Sequence, residues 1–164
     1  MIRPMTETDI IHVQHIARET WSATYDGIIP EEIQTDFIDR SYSEAMLRKR
    51  MEKTCMLIAE HNGVPVGFAN FTKKDEDGDS ELTALYILPS HQQYGFGRKL
   101  FEYALSELQD ALQLFVYVDR HNKNGRAFYE KQGFELLDVF DEFFEGHPVE
   151  TAQYVYYIQE PVLA

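Results

Sequence analysis

Two stretches of this chain carry residue types whose spacing suits chemistry on a phosphate-bearing ligand. The first, Gln92-Gln93-Tyr94-Gly95-Phe96-Gly97-Arg98-Lys99, follows a strand-like run, Glu81 to Leu88, that Pro89 stops. After Gly97 the apolar residues Leu100, Phe101, Ala104, Leu105, Leu108 and Leu112 recur as one stripe of a helix. A strand, a turn with two glycines and a helix start form a cradle for anionic oxygens. The glycines let backbone approach the ligand, and the unpaired amides and positive dipole end of the first helical turn face it. The stretch lacks the Gly-Lys-Ser/Thr that grips a nucleoside triphosphate. Leu100 stands where a dinucleotide fingerprint needs its third glycine, so a nicotinamide cofactor fits no better. Taken alone, the turn is equally consistent with a purely structural role.

The second stretch, Asn122 to Phe134, follows the apolar run Leu112 to Val118 and reads as loop, short helix and glycine stop. Together the two stretches resemble the GNAT family of acetyl-coenzyme A-dependent N-acetyltransferases. The family's Gln/Arg-x-x-Gly-x-Gly/Ala signature is matched by Gln92, Gly95 and Gly97, and its second signature by Asn122, Phe128, Tyr129, Gly133 and Phe134. Gly125 departs from the alanine that often follows the Asn segment. The resemblance is strong for residues 81 to 134 and weak elsewhere. It implies an α/β (α+β) fold in which a mixed, mostly antiparallel twisted sheet of about seven strands is flanked by about four helices.

The resemblance also implies roles. Acetyl-coenzyme A would be the cosubstrate, held by Gln92, Gln93, Tyr94, Gly95, Phe96, Gly97, Arg98, Lys99, Asn122, Phe128 and Tyr129 and by the strand residues Leu85, Tyr86 and Ile87. The amide near Leu85 would stabilise the oxyanion, and the Ile87 backbone would pair with the pantetheine arm. Tyr129 would reprotonate the departing thiolate. An amine with a pKa of ~10.4 is almost wholly protonated at neutral pH, so freeing its lone pair costs about 4 kcal/mol. Glu81, at the entry of the central strand, is the first candidate to take that proton through water, with an exposed strand-end carboxylate as the equal alternative. Asp79 and Glu76 are weaker substitutes. The acceptor groove would lie between residues 20 to 37 and 140 to 150. There Trp21, Tyr25, Phe37, Phe143, Phe144 and Tyr154 are candidate walls, and Glu31, Glu32, Asp141, Glu142 and Glu145 are candidate attractors of a cation. Each aromatic is equally a core residue. The acceptor is expected to be a primary amine, with a small cation such as a polyamine first. A protein lysine or N-terminus is the alternative, and a catalytically weak cofactor-binding module is the reading from another class.

The remaining elements must position these groups. Ile2-Arg3-Pro4 and Thr6-Glu7-Thr8-Asp9 read as a first strand and helix cap, followed by the helical stripe Ile10, Val13, Ile16, Ala17 and Trp21. A helical region from Pro30 to Lys53 carries a break near Ser41-Tyr42-Ser43. Met56 to Glu60 and Val64 to Phe71 flank His61-Asn62-Gly63 as a hairpin. Leu136 to Phe144 and Gln153 to Ile158 flank Gly146-His147-Pro148 as two final strands.

Composition narrows the class. At 164 residues, with no linker, repeat or low-complexity tract, the chain is expected to be one domain spanning 1–164. Its net charge of -13, from 28 Asp plus Glu against 15 Lys plus Arg, argues against nucleic acid and suits a cationic acceptor. Asp75 to Asp79 and Asp141-Glu142 read as solvated turns or strand faces. His12 and His15 lack a third ligand, so no metal is expected. Cys55 reads as a small buried hydrophobe and, being single, makes no internal disulfide. No signal pattern or membrane-length apolar run is present, so a cytoplasmic protein is expected, without a membrane partner. A homodimer is expected by analogy alone.

Overall fold

The structure, a computed structural model, describes residues 1–159. Residues 160–164 of the expected domain lie outside that range. Seven strands form one sheet: β1 (Ile2–Pro4), β2 (Cys55–His61), β3 (Val64–Phe71), β4 (Asp79–Ile87), β5 (Gln113–Asp119), β6 (Glu135–Phe144) and β7 (His147–Tyr157), in the order β1-β2-β3-β4-β5-β7-β6. Every neighbouring pair is antiparallel except β4 and β5. Among the described residues five α-helices accompany it, one more than the four or so implied: α1 (Ile10–Tyr25), α2 (Glu31–Ser41), α3 (Glu44–Lys53), α4 (Phe96–Glu107) and α5 (Lys123–Gln132). Among the described residues no helix is long and apolar enough to cross a membrane.

The extra helix comes from the break expected near Ser41-Tyr42-Ser43. Ser43 is a true cap, its hydroxyl accepting from the Met46 amide at 3.2 Å, and Tyr42 is buried in the core there. Leu112 corrects the expected stripe of α4. That helix ends at Glu107, and Leu112 lies outside it, half-exposed, its amide bonded to the Gly78 carbonyl. The final hairpin is longer than expected. It turns at Glu145-Gly146, both with positive φ, and β7 already begins at His147. Pro148 is tolerated because β7 has run past the end of β5, whose last pairing is Asp119 with Thr151. The β2–β3 hairpin turns at Asn62-Gly63 with both φ angles positive, as its sequence predicts.

The sheet separates two apolar layers. On one face Leu57, Phe71, Leu82 and Ile87 pack with Leu100, Phe101 and Ala104 of α4 and Tyr129 of α5. On the other, Met56, Ile58, Phe68 and Ala84 pack with Val13, Ile16, Ala17 and Trp21 of α1, Ile38 of α2 and Leu47 of α3. Cys55 is only partly buried, and desolvation raises its thiol pKa.

The sheet's first edge is pinned by charge. Arg3 grips the buried Asp9 with both guanidinium nitrogens, at 2.7 and 2.8 Å, and also holds Glu60. The Arg3 guanidinium lowers the Asp9 pKa, so this contribution is full above the ordinary carboxylate range and disappears as pH falls through the lowered value. Arg3→Met, which leaves Asp9 uncompensated, is expected to cost about 3 kcal/mol in urea unfolding at pH 7. The gap to the parent protein should close as the pH drops below that of carboxylate titration.

Candidate active site

The site begins where β4 and β5 part. They pair in parallel only through Asp79, Ser80 and Glu81 against Gln113, Leu114 and Phe115. Beyond Glu81, β4 pairs only with β3, and beyond Phe115, β5 pairs only with β7. The Leu88 amide donates to the Val66 carbonyl at 2.9 Å, which sets the antiparallel alternation. Ala84 and Tyr86 therefore bond toward β3, while the N–H and C=O groups of Leu85 and Ile87 face the gap. The register jumps here as well: Asn70 opposes Ala84 but Phe71 opposes Leu82, so Thr83 is an inserted bulge residue. Its hydroxyl donates to the Asn70 carbonyl at 3.0 Å.

The glycine turn closes one end of the gap. Gln92 donates from its side-chain amide to the Ile87 carbonyl at 3.1 Å, tying the loop to the strand end. Gly95 caps α4 at φ +77, a conformation that costs other residues ~1–2 kcal/mol. Lys99 makes the first intrahelical bond, to the Gly95 carbonyl at 3.1 Å, so the Phe96, Gly97 and Arg98 amides precede the helix ladder. Gly97 is small for a packing reason: a Cβ there would stand 3.1 Å from the Phe128 ring. Gln93 and Tyr94 are exposed, and Phe96 is buried, so only its backbone is offered outward. Arg98 pairs with Glu102 at 2.9 Å, and the Lys99 ammonium lies over the Phe96 ring.

On the α5 side, Asn122 has a structural task. Its side-chain oxygen caps the helix by accepting from the Gly125 amide at 2.9 Å. A Cβ at residue 125 would lie 2.6 Å from the Asn122 amide nitrogen, which explains why glycine replaces the expected alanine. Tyr129 is buried between Phe128 and Phe134, with ring centroids 5.3 and 5.2 Å away, and desolvation pushes its phenol pKa up. Its proton is held tightly.

Glu81 is half-buried, and desolvation is what raises its pKa above the ordinary 4.5. Tyr117 lies two residues beyond Glu81's partner on β5. Burial raises its phenol pKa, with the charges of Glu81 and Glu142 adding to the shift. Asp79 is held by the Gln113 amide at 2.7 Å, and Glu76 is exposed in the preceding turn, so neither reaches the gap. In that turn the Asp75, Asp77 and Asp79 carboxylates lie within 4.8 Å of one another, and Asp75 accepts from the amides of the other two.

The opposite face of the gap opens into a cleft of about 500 Å³. Trp21, Tyr25, Phe37 and Phe144 line it as expected, and so do Glu142 and Tyr86. Tyr86 turns its side chain to this cleft, where its hydroxyl accepts from the Trp21 indole at 3.1 Å. Burial pushes the Tyr25 phenol to about 12, with the Asp119 charge contributing. The other expected wall residues lie elsewhere. Phe143 is 76% exposed outside the cleft, and Tyr154 is wholly buried, bonding Glu130 and Arg126 of α5. Glu31 and Glu32 sit exposed at the start of α2, and Glu145 pairs with Arg40 at 2.8 Å. Tyr42, Arg50, Asn70, Thr83, Tyr117 and Asp119 also line the cleft, although no sequence motif singles them out.

Trp21 is the single tryptophan, so its fluorescence reports on this cleft. Tyr86→Phe removes the acceptor of a largely buried indole N–H and is expected to cost about 1–2 kcal/mol in urea unfolding followed at that residue.

Known proteins resemble this chain along most of its length. An uncharacterized N-acetyltransferase of Mycobacterium tuberculosis is 31% identical over 134 residues, covering 79% of this chain and 85% of that protein. The spermidine N(1)-acetyltransferase of Thermoplasma acidophilum is 29% identical over 146 residues, covering 84% and 89%. The crystal structure of the PaiA N-acetyltransferase from Thermoplasma acidophilum, in complex with coenzyme A, superposes with a TM-score of 0.81 at 26% identity, over 95% of this chain and 98% of that one. The family model described as the acetyltransferase (GNAT) family matches residues 13–134. With its split sheet and glycine-capped helix, this chain belongs to the GNAT family and is an acyltransferase.

Proposed function

We propose that this protein transfers the acetyl group of acetyl-coenzyme A to a primary amine of a small cationic acceptor, a polyamine first among them. The observation that carries this reading is the gap between β4 and β5. It exposes the backbone of Leu85 and Ile87, and it has the α4 amides at one end and an acid-bearing aromatic cleft on its far face. The relation to a spermidine acetyltransferase supports the acceptor class.

In this reading the Ile87 backbone and the α4 amides bind the pantetheine arm and diphosphate. The acceptor amine enters through the cleft and loses its proton through water to Glu81. Desolvation raises the pKa of Glu81, which brings the base closer to working pH. The amine nitrogen then bonds to the thioester carbon, and the Leu85 amide stabilises the resulting oxyanion. As the carbon–sulfur bond breaks, the thiolate takes the Tyr129 proton, and the surplus proton on the newly acylated nitrogen leaves to restore the phenol, which gives the neutral amide and the free thiol. That phenol's apolar surroundings make it a donor and not an anion at any physiological pH. Asn122 keeps its side-chain N–H donors for the cofactor while its oxygen holds the cap.

Titration of the protein with acetyl-coenzyme A by calorimetry, followed by thiol-release assays on polyamines, amino acids and lysine peptides, tests the reading. Gly97→Glu sets bulk and negative charge at the helix start and is expected to abolish binding, whereas retained binding would remove the cradle from that position. Glu81→Gln is expected to lower kcat/KM most at and below neutral pH, where few acceptor amines are already neutral. The loss should shrink as pH approaches the amine pKa; an equal loss at every pH would exclude Glu81 as the base.

A further inference from the structure

A second cleft, of about 630 Å³, adjoins the first. The two share Asp119 and Val149, and the second adds Asp141, Glu150 and His121 beside the backbone of Gly27 and Ile28. Its character differs from that of its neighbour: the first is walled by aromatic rings, the second by acids.

Asp119 is the hinge between them. Its side chain is only 6% exposed, yet it lines both clefts. One carboxylate oxygen, Oδ1, accepts from the His121 amide at 2.8 Å and lies 3.3 Å from the His121 imidazole. The other, Oδ2, has no hydrogen-bond partner among the described residues, and no buried side-chain oxygen there is both sealed from solvent and unpartnered, so Oδ2 is open to the cleft. Among the described residues no lysine or arginine pairs with it, and the His121 imidazole is its ionisable neighbour. The neighbouring Arg120 is spent on Glu150, at 2.6 Å. A largely buried carboxylate without a cation is costly, and a ligand ammonium relieves that cost.

Resting on the reading above, we propose that Asp119 is the specificity anchor for a second, non-reacting ammonium of the acceptor. The acceptor is then a linear di- or polyamine, its methylene chain along Trp21, Tyr25 and Phe144 and its far end in the acidic cleft. An aromatic wall suits methylenes and ammonium groups alike. A monoamine would use the first cleft and leave Asp119 unpaired, so the site distinguishes acceptors by their second charge and not by the reacting amine.

The test compares putrescine and spermidine with n-butylamine, which presents the same reacting group without a second charge. In Asp119→Asn, which keeps the Oδ1 acceptor for the His121 amide, KM for the polyamines is expected to rise about tenfold more than KM for n-butylamine, the loss of one charge-assisted hydrogen bond. Direct titration of Trp21 fluorescence with spermidine, in the presence of coenzyme A, should show the same weakening without requiring turnover. Asp141→Asn, on an exposed strand position that does not threaten folding, is expected to weaken spermidine several-fold more than n-butylamine. Equal changes for both acceptor classes, or unchanged spermidine binding in both variants, would overturn the anchor. The parent protein binding coenzyme A and acetylating n-butylamine as readily as spermidine would overturn the anchor while leaving the acetyltransferase reading intact. Absence of coenzyme A binding would overturn that reading itself.

Discussion

The parting of β4 and β5 after three parallel pairs is the constraint on which the rest of this structure depends. A sheet interior normally satisfies every backbone group, and leaving a strand edge open inside a fold costs free energy unless a ligand or water completes it. Here the open groups are confined to one segment of β4, around Leu85 and Ile87, because β3 satisfies the alternate residues. The bulge at Thr83 re-phases that segment, turning Ala84 and Tyr86 to the α1 face and Leu85 and Ile87 to the α4 face. The gap therefore carries free backbone groups along its edge and side chains toward the cleft.

Each flank of the gap is held by a different kind of bond. The Gln92 side chain bonds the last carbonyl of β4, which fixes the glycine turn and so aims the α4 amides. Asn122 instead caps α5 from its own first turn, accepting from the Gly125 amide, and the close approach of the Gly97 backbone to Phe128 brings the two helix starts together. On the acceptor face the Trp21 indole bonds the Tyr86 hydroxyl, joining α1 to the central strand. Desolvation acts on each of these acids: Tyr129, Tyr86 and Tyr25 are driven to hold their protons, and the half-buried Glu81 is raised above the ordinary carboxylate range. Glu81 and Tyr129 thus stand in different environments, one half-buried and one sealed among aromatic rings.

Charge acts at longer range. A net charge of -13 gives the molecule an attractive field for polycations and a repulsive one for nucleic acid. Many of the acids are spent on surface pairs such as Arg18 with Asp39 and Arg48 with Glu7 and Glu44, which contribute little to stability. Of the acids lining the two clefts, Asp119, Asp141 and Glu142 pair with no lysine or arginine among the described residues, whereas Glu150 is held by Arg120.

Local signals carried much of this in the sequence. Gly95 with Gly97, Asn122 with its helix, the Asn62-Gly63 turn and the alternating strand runs announce themselves within a few residues, because turns, caps and periodicity are local physics. They were enough to name the family and to put forward the cradle residues, Glu81 and Tyr129 as candidates. The sequence did not tell which aromatics line the cleft and which fill the core. Phe143 and Phe144 are adjacent yet face solvent and cleft, and Tyr154 is buried against α5, since strand register decides the face and register is set by distant partners. Nor did it show the bulge at Thr83, or Asp119 as the residue shared by two clefts, because both arise where segments far apart in the chain meet. Residue types and short spacings determined the chemistry available; the pairing of β3, β4, β5 and β7 decided which groups face the gap, because only tertiary contacts choose register and burial.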